Sequence, residues 1–258
     1  MTLTQNGPLF GGPLLEVEGL SYSFNGLEAV DDVSFSIARG EIFGLLGPNG
    51  AGKTTTISCI AGLRRPHKGT MRFEGAAFTP GLDGAQRQRL GVVPQELALY
   101  DSLTGRENLE FFAATSGVAR HTAKARVQAA LELAGLQDRA KDRVKTYSGG
   151  MKRRLNLVIA CLHEPELVIL DEPTVGVDPQ SRHHIFDALE ALSRSGRTLL
   201  YTTHYMEEAE RLCHRIAIMD AGRVIAIGTA AELAEKAGLP GKDLEQVFLS
   251  LTGKRLRD

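Results

Sequence analysis

Gly47-Pro48-Asn49-Gly50-Ala51-Gly52-Lys53-Thr54 decides the fold class of this chain. The string fits Gly-x-x-x-x-Gly-Lys-Ser/Thr, a loop whose successive backbone N–H groups converge on phosphate oxygens. Glycine supplies backbone conformations that a Cβ forbids. Lys53 adds a point charge for the β- and γ-phosphates, and the Thr54 hydroxyl can ligate Mg²⁺; Thr55 is grouped with them as a nucleotide contact. A Gly-rich turn with a solvated lysine is the plain alternative, and the flanks weigh against it. Glu41 to Leu46 reads as a buried strand, and Lys53 to Leu63 as a helix with Ile57, Ile60 and Ala61 on one face. Strand, loop and helix is the context that the motif requires.

A second feature lies downstream. Leu167-Val168-Ile169-Leu170 is a continuous apolar run, as a strand buried on both faces should be, and it ends in Asp171-Glu172. A carboxylate at that strand end can hold Mg²⁺ through its water shell, which is the role of Asp171. Glu172 points the other way and is placed to accept a proton from an attacking water. A third feature is Tyr147-Ser148-Gly149-Gly150-Met151, which opens a helix. Serine and two glycines there expose N–H groups at the positive end of the helix dipole, a second anion site in one chain. Two sites that want one γ-phosphate are reconciled by a dimer in which each helix start faces the partner's nucleotide. Taken alone, the string is also an ordinary Ser cap followed by glycine.

The rest of the chain reads as an α/β core with a helical insertion between about Tyr100 and Glu164. Leu15, Val17 and Gly19 alternate with Glu16 and Glu18, and Val33, Phe35 and Ile37 do the same after turns at Asn25-Gly26 and Asp31-Asp32. With Gly69 to Gly75 these form an antiparallel β layer beside the phosphate loop. Leu90 to Gln95 is a buried strand running into a polar loop. Thr104-x-x-Glu107 is a capping box, and Gly135 stops a helix over His121 to Ala134. Met151 to Leu162 and Gln180 to Leu192 are helical. Thr198 to Thr202 is a buried strand, and Asp220-Ala221-Gly222 joins two strands of a hairpin. Thr229-x-x-Glu232 and Asp243-x-x-Gln246 cap two last helices. The expected boundaries are a lead over 1–13, a main unit over 14–240 and a helical tail over 241–258.

Composition narrows the class. A net charge of −1 over 258 residues gives no bulk attraction for nucleic acid. No apolar run approaches the roughly 18 residues that span a bilayer, and Met1 to Pro13 lacks the pattern of a secretion signal. Cys59, Cys161 and Cys213 fit neither a zinc spacing nor a disulfide framework and are expected as small core residues in a reducing cytoplasm. His183-His184 read as surface residues.

These motifs, in this order over about Leu14 to Gly253, resemble the ATP-binding cassette (ABC) ATPases. Gly47 to Thr54 looks like the Walker A loop, and Leu167 to Asp171 with Glu172 like Walker B and its catalytic glutamate. Ser148-Gly149-Gly150 is similar to the signature Leu-Ser-Gly-Gly-Gln, departing from it at Tyr147 and Met151. The resemblance implies that Gln95 touches Mg²⁺ or the attacking water and relays motion to a partner. It implies that Asp178 belongs to a loop crossing a dimer seam and that His204 contacts the γ-phosphate. Tyr22 falls where the family stacks an aromatic ring on adenine, with Phe24 close by. Tyr147 to Leu155 and the tail Leu244 to Gly253 look like the cassettes of ABC-2-type exporters of drugs, lipids or polysaccharides. The implied protein is a cytoplasmic ATPase subunit on the inner face of a membrane. It uses ATP and Mg²⁺, pairs with a second cassette and docks through the Gln95 loop and Leu97 to Leu103 on a separate membrane permease. The alternative is a soluble cassette ATPase, such as an iron–sulfur cluster assembly subunit. A regulatory module that hydrolyses poorly is disfavoured by the presence of Glu172.

Overall fold

The structure is a computed structural model and describes residues 12–81 and 83–253; most of the expected lead falls outside them. Two sheets organise it. In the first, β1 (Pro13–Phe24) pairs antiparallel with β2 (Leu27–Ala38) and with β4 (Lys68–Phe73), which carries the short β5 (Ala76–Ala77). Alternation sets its faces: Leu15, Val17, Val33, Phe35 and Ile37 are buried. Asn25 and Gly26 both have positive φ, 47° and 87°, the twist that joins tightly paired strands. The expected turn at Asp31-Asp32 is instead a bulge inside β2. Leu20 faces Val33 while Tyr22 faces Val30, so Asp31 and Asp32 of β2 together oppose Ser21 of β1. Asp32 sits at φ 54°, and its N–H donates to Ser21 Oγ at 3.1 Å, which satisfies the displaced backbone.

The second sheet has the order β10-β9-β3-β8-β7-β6. β3 (Ile42–Leu46), β6 (Leu90–Val93), β7 (Leu167–Asp171), β8 (Thr198–Thr203) and β9 (Arg215–Asp220) are parallel. β10 (Arg223–Gly228) turns back on β9. β3, β7 and β8 are buried along their whole length, which is why β3 and β7 read as apolar runs; β8 buries three threonines as well. They are neighbours, so the segments leaving their C-terminal ends start side by side.

Helices cover both faces. α1 (Lys53–Ile60) stops earlier than expected: Gly62 has φ 72°, and a Cβ there would meet Gly81 N at 2.4 Å. After the short α2 (Gly84–Arg87), α3 (Gly105–Thr115), α4 (Arg120–Ala134) and α5 (Gly149–Ile159) pack around their own core of residues such as Leu109, Leu131, Val144 and Leu155. The Thr104–Glu107 capping box forms in both directions, and Gly135 ends α4 in the left-handed conformation. α6 (Pro179–Arg194) lies against β8. Next comes α7 (Met206–Leu212), a helix missing from the sequence reading, whose Met206, Ala209 and Leu212 share a buried face. α8 (Ala230–Lys236) and α9 (Leu244–Thr252) join it in one core with Ile216 and Ile218. The described part of the tail is therefore docked; Leu244, Val247 and Phe248 are buried, each worth about 1.5–3 kcal/mol relative to exposure. Cys59 is buried and Cys161 and Cys213 are half-buried; all three are free thiols, with burial pushing Cys59 up to about 11 and Cys161 up to about 12. His183 and His184 are exposed on α6.

Candidate functional site

The loop between β3 and α1 explains its own glycines. Gly47 has no room for a side chain, because a Cβ would sit 2.3 Å from Met219 O. Gly52 combines φ 99° with Ala29 O at 2.5 Å from the same imaginary atom. The loop closes one wall of an open cleft of about 660 Å³, whose other walls are Gln95, Glu172, Val175, His204 and Tyr205. Asn49, Gly50, Ala51, Gly52, Lys53, Thr54 and Thr55 all line it. Gly47 and Pro48 act from behind: their carbonyls accept from Lys53 Nζ at 2.7 and 3.1 Å.

The strand ends bring the acidic pair onto the loop. Thr54 Oγ1 donates to Asp171 Oδ1 at 3.2 Å, and Thr202 Oγ1 donates to the same oxygen at 2.9 Å. Glu172 turns away with φ 45°, a left-handed conformation costing about 1–2 kcal/mol for a residue with a side chain. That turn puts Oε1 3.1 Å from Lys53 Nζ and Oε2 3.1 Å from His204 Nδ1. The Glu172 N–H donates to Thr202 Oγ1 at 3.0 Å, so one threonine on β8 holds both acids. Lys53, Asp171 and Glu172 are only 4%, 6% and 7% exposed, so these charges act in a medium that screens them poorly. Burial is the main force on two of them. It lowers Lys53 below its ordinary value against the pull of Glu172 and Asp171, and it raises Asp171 against the hydrogen bonds from Thr202 and Thr54.

The helix start at Ser148 is elsewhere. Ser148 and Gly149 are exposed, and Ser148 Oγ accepts from Met151 N at 3.2 Å as the cap of α5. Gly150 is buried against α6, where a Cβ would meet Ser181 Oγ at 2.0 Å and Asp178 Oδ2 at 3.4 Å. Asp178 caps α6 by accepting from Ser181 N at 2.9 Å, a bond that holds its carboxyl below the usual value. The signature and Asp178 thus sit together, and neither lines the cleft that holds Lys53. The flank departures have a local cause. Tyr147 is buried over Gly105 and donates its hydroxyl to Arg139 O at 2.7 Å, and Met151 packs on the same helical core.

Tyr22 does not line the cleft. Its ring stacks on His67 at 5.0 Å, and its hydroxyl accepts from Arg64 Nη1 at 3.2 Å. Phe24, beside the hairpin turn, is the more open ring at 39% exposure, with the Arg64 guanidinium 4.6 Å from its centre. Sequence reasoning also missed Thr202 as the holder of both acids. It missed Arg153 too, which reaches from α5 to donate to Gln95 O and, at 3.3 Å, to Val175 O. Thr202 was visible only as a strand residue, and bonds to carbonyls leave no signal in residue type.

A phosphate loop on β3, an acidic pair ending β7 and a histidine after β8 define a nucleoside triphosphatase. The chain belongs to the ABC transporter family, whose model matches residues 30–175. It is an ATP-binding, ATP-hydrolysing subunit of that family. It is 49% identical over 226 residues to the linearmycin resistance ATP-binding protein LnrL of Bacillus subtilis, covering 87% of this chain and 72% of that protein. It is 45% identical to the Nod factor export ATP-binding protein I of Ralstonia nicotianae, covering 88% and 71%. A solved ATP-binding subunit of an ABC transporter superposes with a TM-score of 0.83 at 34% identity, covering 93% of this chain and 99% of that one. The cbiO1 protein of Clostridium perfringens, part of the cbiONQ complex, gives 0.79 at 29%, covering 87% and 92%.

Proposed function

We propose that this chain is the cytoplasmic ATPase of an ABC-2-type exporter and works as a pair of cassettes with ATP held at their seam. The observation that carries the pairing is the separation of the two anion sites. The cleft holds Lys53 and Glu172, while Ser148 and Gly149 stand exposed beside Asp178 outside it. Lys53 and the loop N–H groups hold the phosphates of one chain's ATP, and Ser148 with Gly149 and Gly150 of the second copy closes over them. Glu172 orients and deprotonates the attacking water, His204 contacts the γ-phosphate, and closure excludes other water. Neither Tyr22 nor Phe24 lines the cleft, and of the two Phe24 is the ring more open to an adenine.

The donor set suits Mg²⁺. Thr54 and Asp171 offer hard oxygens 3.2 Å apart, with Gln95 on the same cleft. An ion of this kind takes one or two protein oxygens and completes its shell with water and substrate phosphate. When bound it would neutralise charge developing on the phosphates.

Export is favoured by relatives named for linearmycin resistance and Nod factor export, and neither name speaks for cluster assembly. A drug, lipid or polysaccharide is the proposed class of cargo. No helix among the described residues is long and apolar enough to cross a membrane. A separate permease is proposed to supply the pore, as suits relatives named as ATP-binding proteins of resistance and export. Its dock is the Gln95 loop and the surface around the exposed Leu97, Tyr100 and Phe111. The cassette proper is proposed to span 14–240, with its helical subdomain over about 100–164 and the tail over 241–258.

The test is affinity capture of tagged Glu172→Gln from detergent-solubilised cells. An integral membrane partner of about six spans is the expected result. Soluble partners alone would sink the exporter reading. Lys53→Ala, assayed in parallel, should lose ATP binding or turnover.

A further inference from the structure

Glu208 lies on α7, outside every motif named so far, yet its carboxylate is only 2% exposed. A buried carboxylate is costly unless it is fully bonded, and this one is. Oε2 accepts from Tyr201 Oη at 2.8 Å, from Thr203 Oγ1 at 2.9 Å and lies 2.9 Å from Thr174 Oγ1; Oε1 is 2.8 Å from the same Thr174 hydroxyl. Arg182 Nε stands 3.6 Å from Oε1. Burial and the Glu208 charge push the Tyr201 hydroxyl well above its usual value, which keeps it a donor.

The partners are placed on both sides of the reacting groups. Thr174 is two residues past Glu172. Thr203 immediately precedes His204, and its Oγ1 also accepts from the N–H of Tyr205, so one hydroxyl brackets the histidine. Arg182 sits on α6 just past Asp178, with its guanidinium 5.5 Å from the Tyr205 ring centre. A left-handed residue with a side chain persists only where its surroundings over-determine it. Thr202 holds Glu172 by its N–H, and Thr174 on Glu208 holds the segment that follows.

We propose that Glu208 is a positioning residue for hydrolysis, tying the segment after Glu172 to the turn that carries His204. The proposal rests on the reading of Glu172 and His204 as the hydrolytic pair. Glu208 is outside the lining of the cleft; it fixes the distance between Glu172 and His204, which both line it. A misplacement of about 1 Å at such a site costs on the order of 10²-fold in rate.

The experiment is steady-state ATP hydrolysis by the purified full chain, with melting temperature and ATP-binding stoichiometry measured on each sample. Glu208→Gln replaces one acceptor oxygen with a donor amide. It should lower kcat by about 10- to 100-fold with KM for ATP within about 2-fold, since the phosphate loop is untouched. Three single-hydroxyl variants separate positioning from bulk stability and decide the matter even where Glu208→Gln does not fold. Thr174→Val, Thr203→Val and Tyr201→Phe each remove one partner of the same buried carboxylate. Thr174→Val and Thr203→Val cut a link to a reacting group and should lower kcat; Tyr201→Phe loses a 3.4 Å contact to Thr174 Oγ1 but leaves both threonine bonds to Glu208 in place, and should lower only the melting temperature. Thr174→Val should cost nothing further in the Glu208→Gln background. Unchanged kcat in Thr174→Val and Thr203→Val, or kcat falling equally with melting temperature in all three, overturns the proposal. Turnover surviving in Glu172→Gln would instead overturn the reading beneath it.

Discussion

The cleft around Lys53 and the helix start at Ser148 are built on opposite plans. Around Lys53 the charges are buried, paired and held by one hydroxyl from β8, one from α1 and the His204 ring before any phosphate arrives. Around Ser148 there is an exposed cap, an exposed glycine and a second glycine wedged against α6. The first is a buried, paired frame, and the second stands open to solvent. Electrostatic preorganisation needs a dry and rigid frame, whereas a closing surface needs exposed donors and little else.

The sharpest way to break this contrast is Glu172→Gln. Turnover should fall by about 10²–10⁴-fold while ATP still binds, read by single-turnover quenching and by nucleotide retention. ATP and Mg²⁺ should then collect the variant as a dimer on sizing chromatography. Gly150→Ala attacks the other site through packing. Its Cβ would meet Ser181 Oγ at 2.0 Å, so α5 must shift from α6 at a cost of about 1–3 kcal/mol in urea unfolding. Adding Ser181→Gly should recover much of that loss and the ATP-driven dimer with it.

Asp171→Asn separates stability from function at the buried site. The native carboxyl is raised by burial, so its stabilising contribution is complete below the unfolded value and is lost as pH rises through the native one. At neutral pH the charge therefore costs the fold. Asp171→Asn should melt higher than the native chain without nucleotide. It should also lose the extra stability conferred by Mg²⁺ with ATP. Differential scanning fluorimetry across pH reads both effects. The smallest effect belongs to Ser148→Ala, which removes a cap worth about 1 kcal/mol or less. ATP binding by the single chain should be unchanged, and only the dimer of the Glu172→Gln background should weaken.

Much of this contrast is legible in residue order, because β3 and β7 carry continuous apolar runs and, with the buried β8, each ends where polar chemistry begins. Capping boxes at Thr104 and Thr229 mark helix starts by a local bond that needs no tertiary context. What escapes is decided by tertiary partners. Asp31-Asp32 has turn composition, but the pairing of β1 with β2 absorbs it as a bulge. α7 is seven residues long, too short for its periodicity to stand out beside two strands. Tyr22 and Phe24 share a strand, and it takes His67 and Arg64, brought in from outside it, to engage Tyr22 and leave Phe24 exposed. Glu208 looks like one of several surface acids of a polar helix until Thr174, Tyr201 and Thr203 are folded onto it.

The ion pair between Lys53 and Glu172 has a consequence for affinity. The lysine that the γ-phosphate needs is already held by a carboxylate, so ATP enters by exchanging one anion for another. The dissociation constant of the native chain therefore contains a competition term that has no counterpart in Glu172→Gln. Tighter nucleotide binding by that variant would report a removed competitor as well as a stalled reaction, and Glu172→Ala, which lacks both the charge and the amide, separates the two contributions.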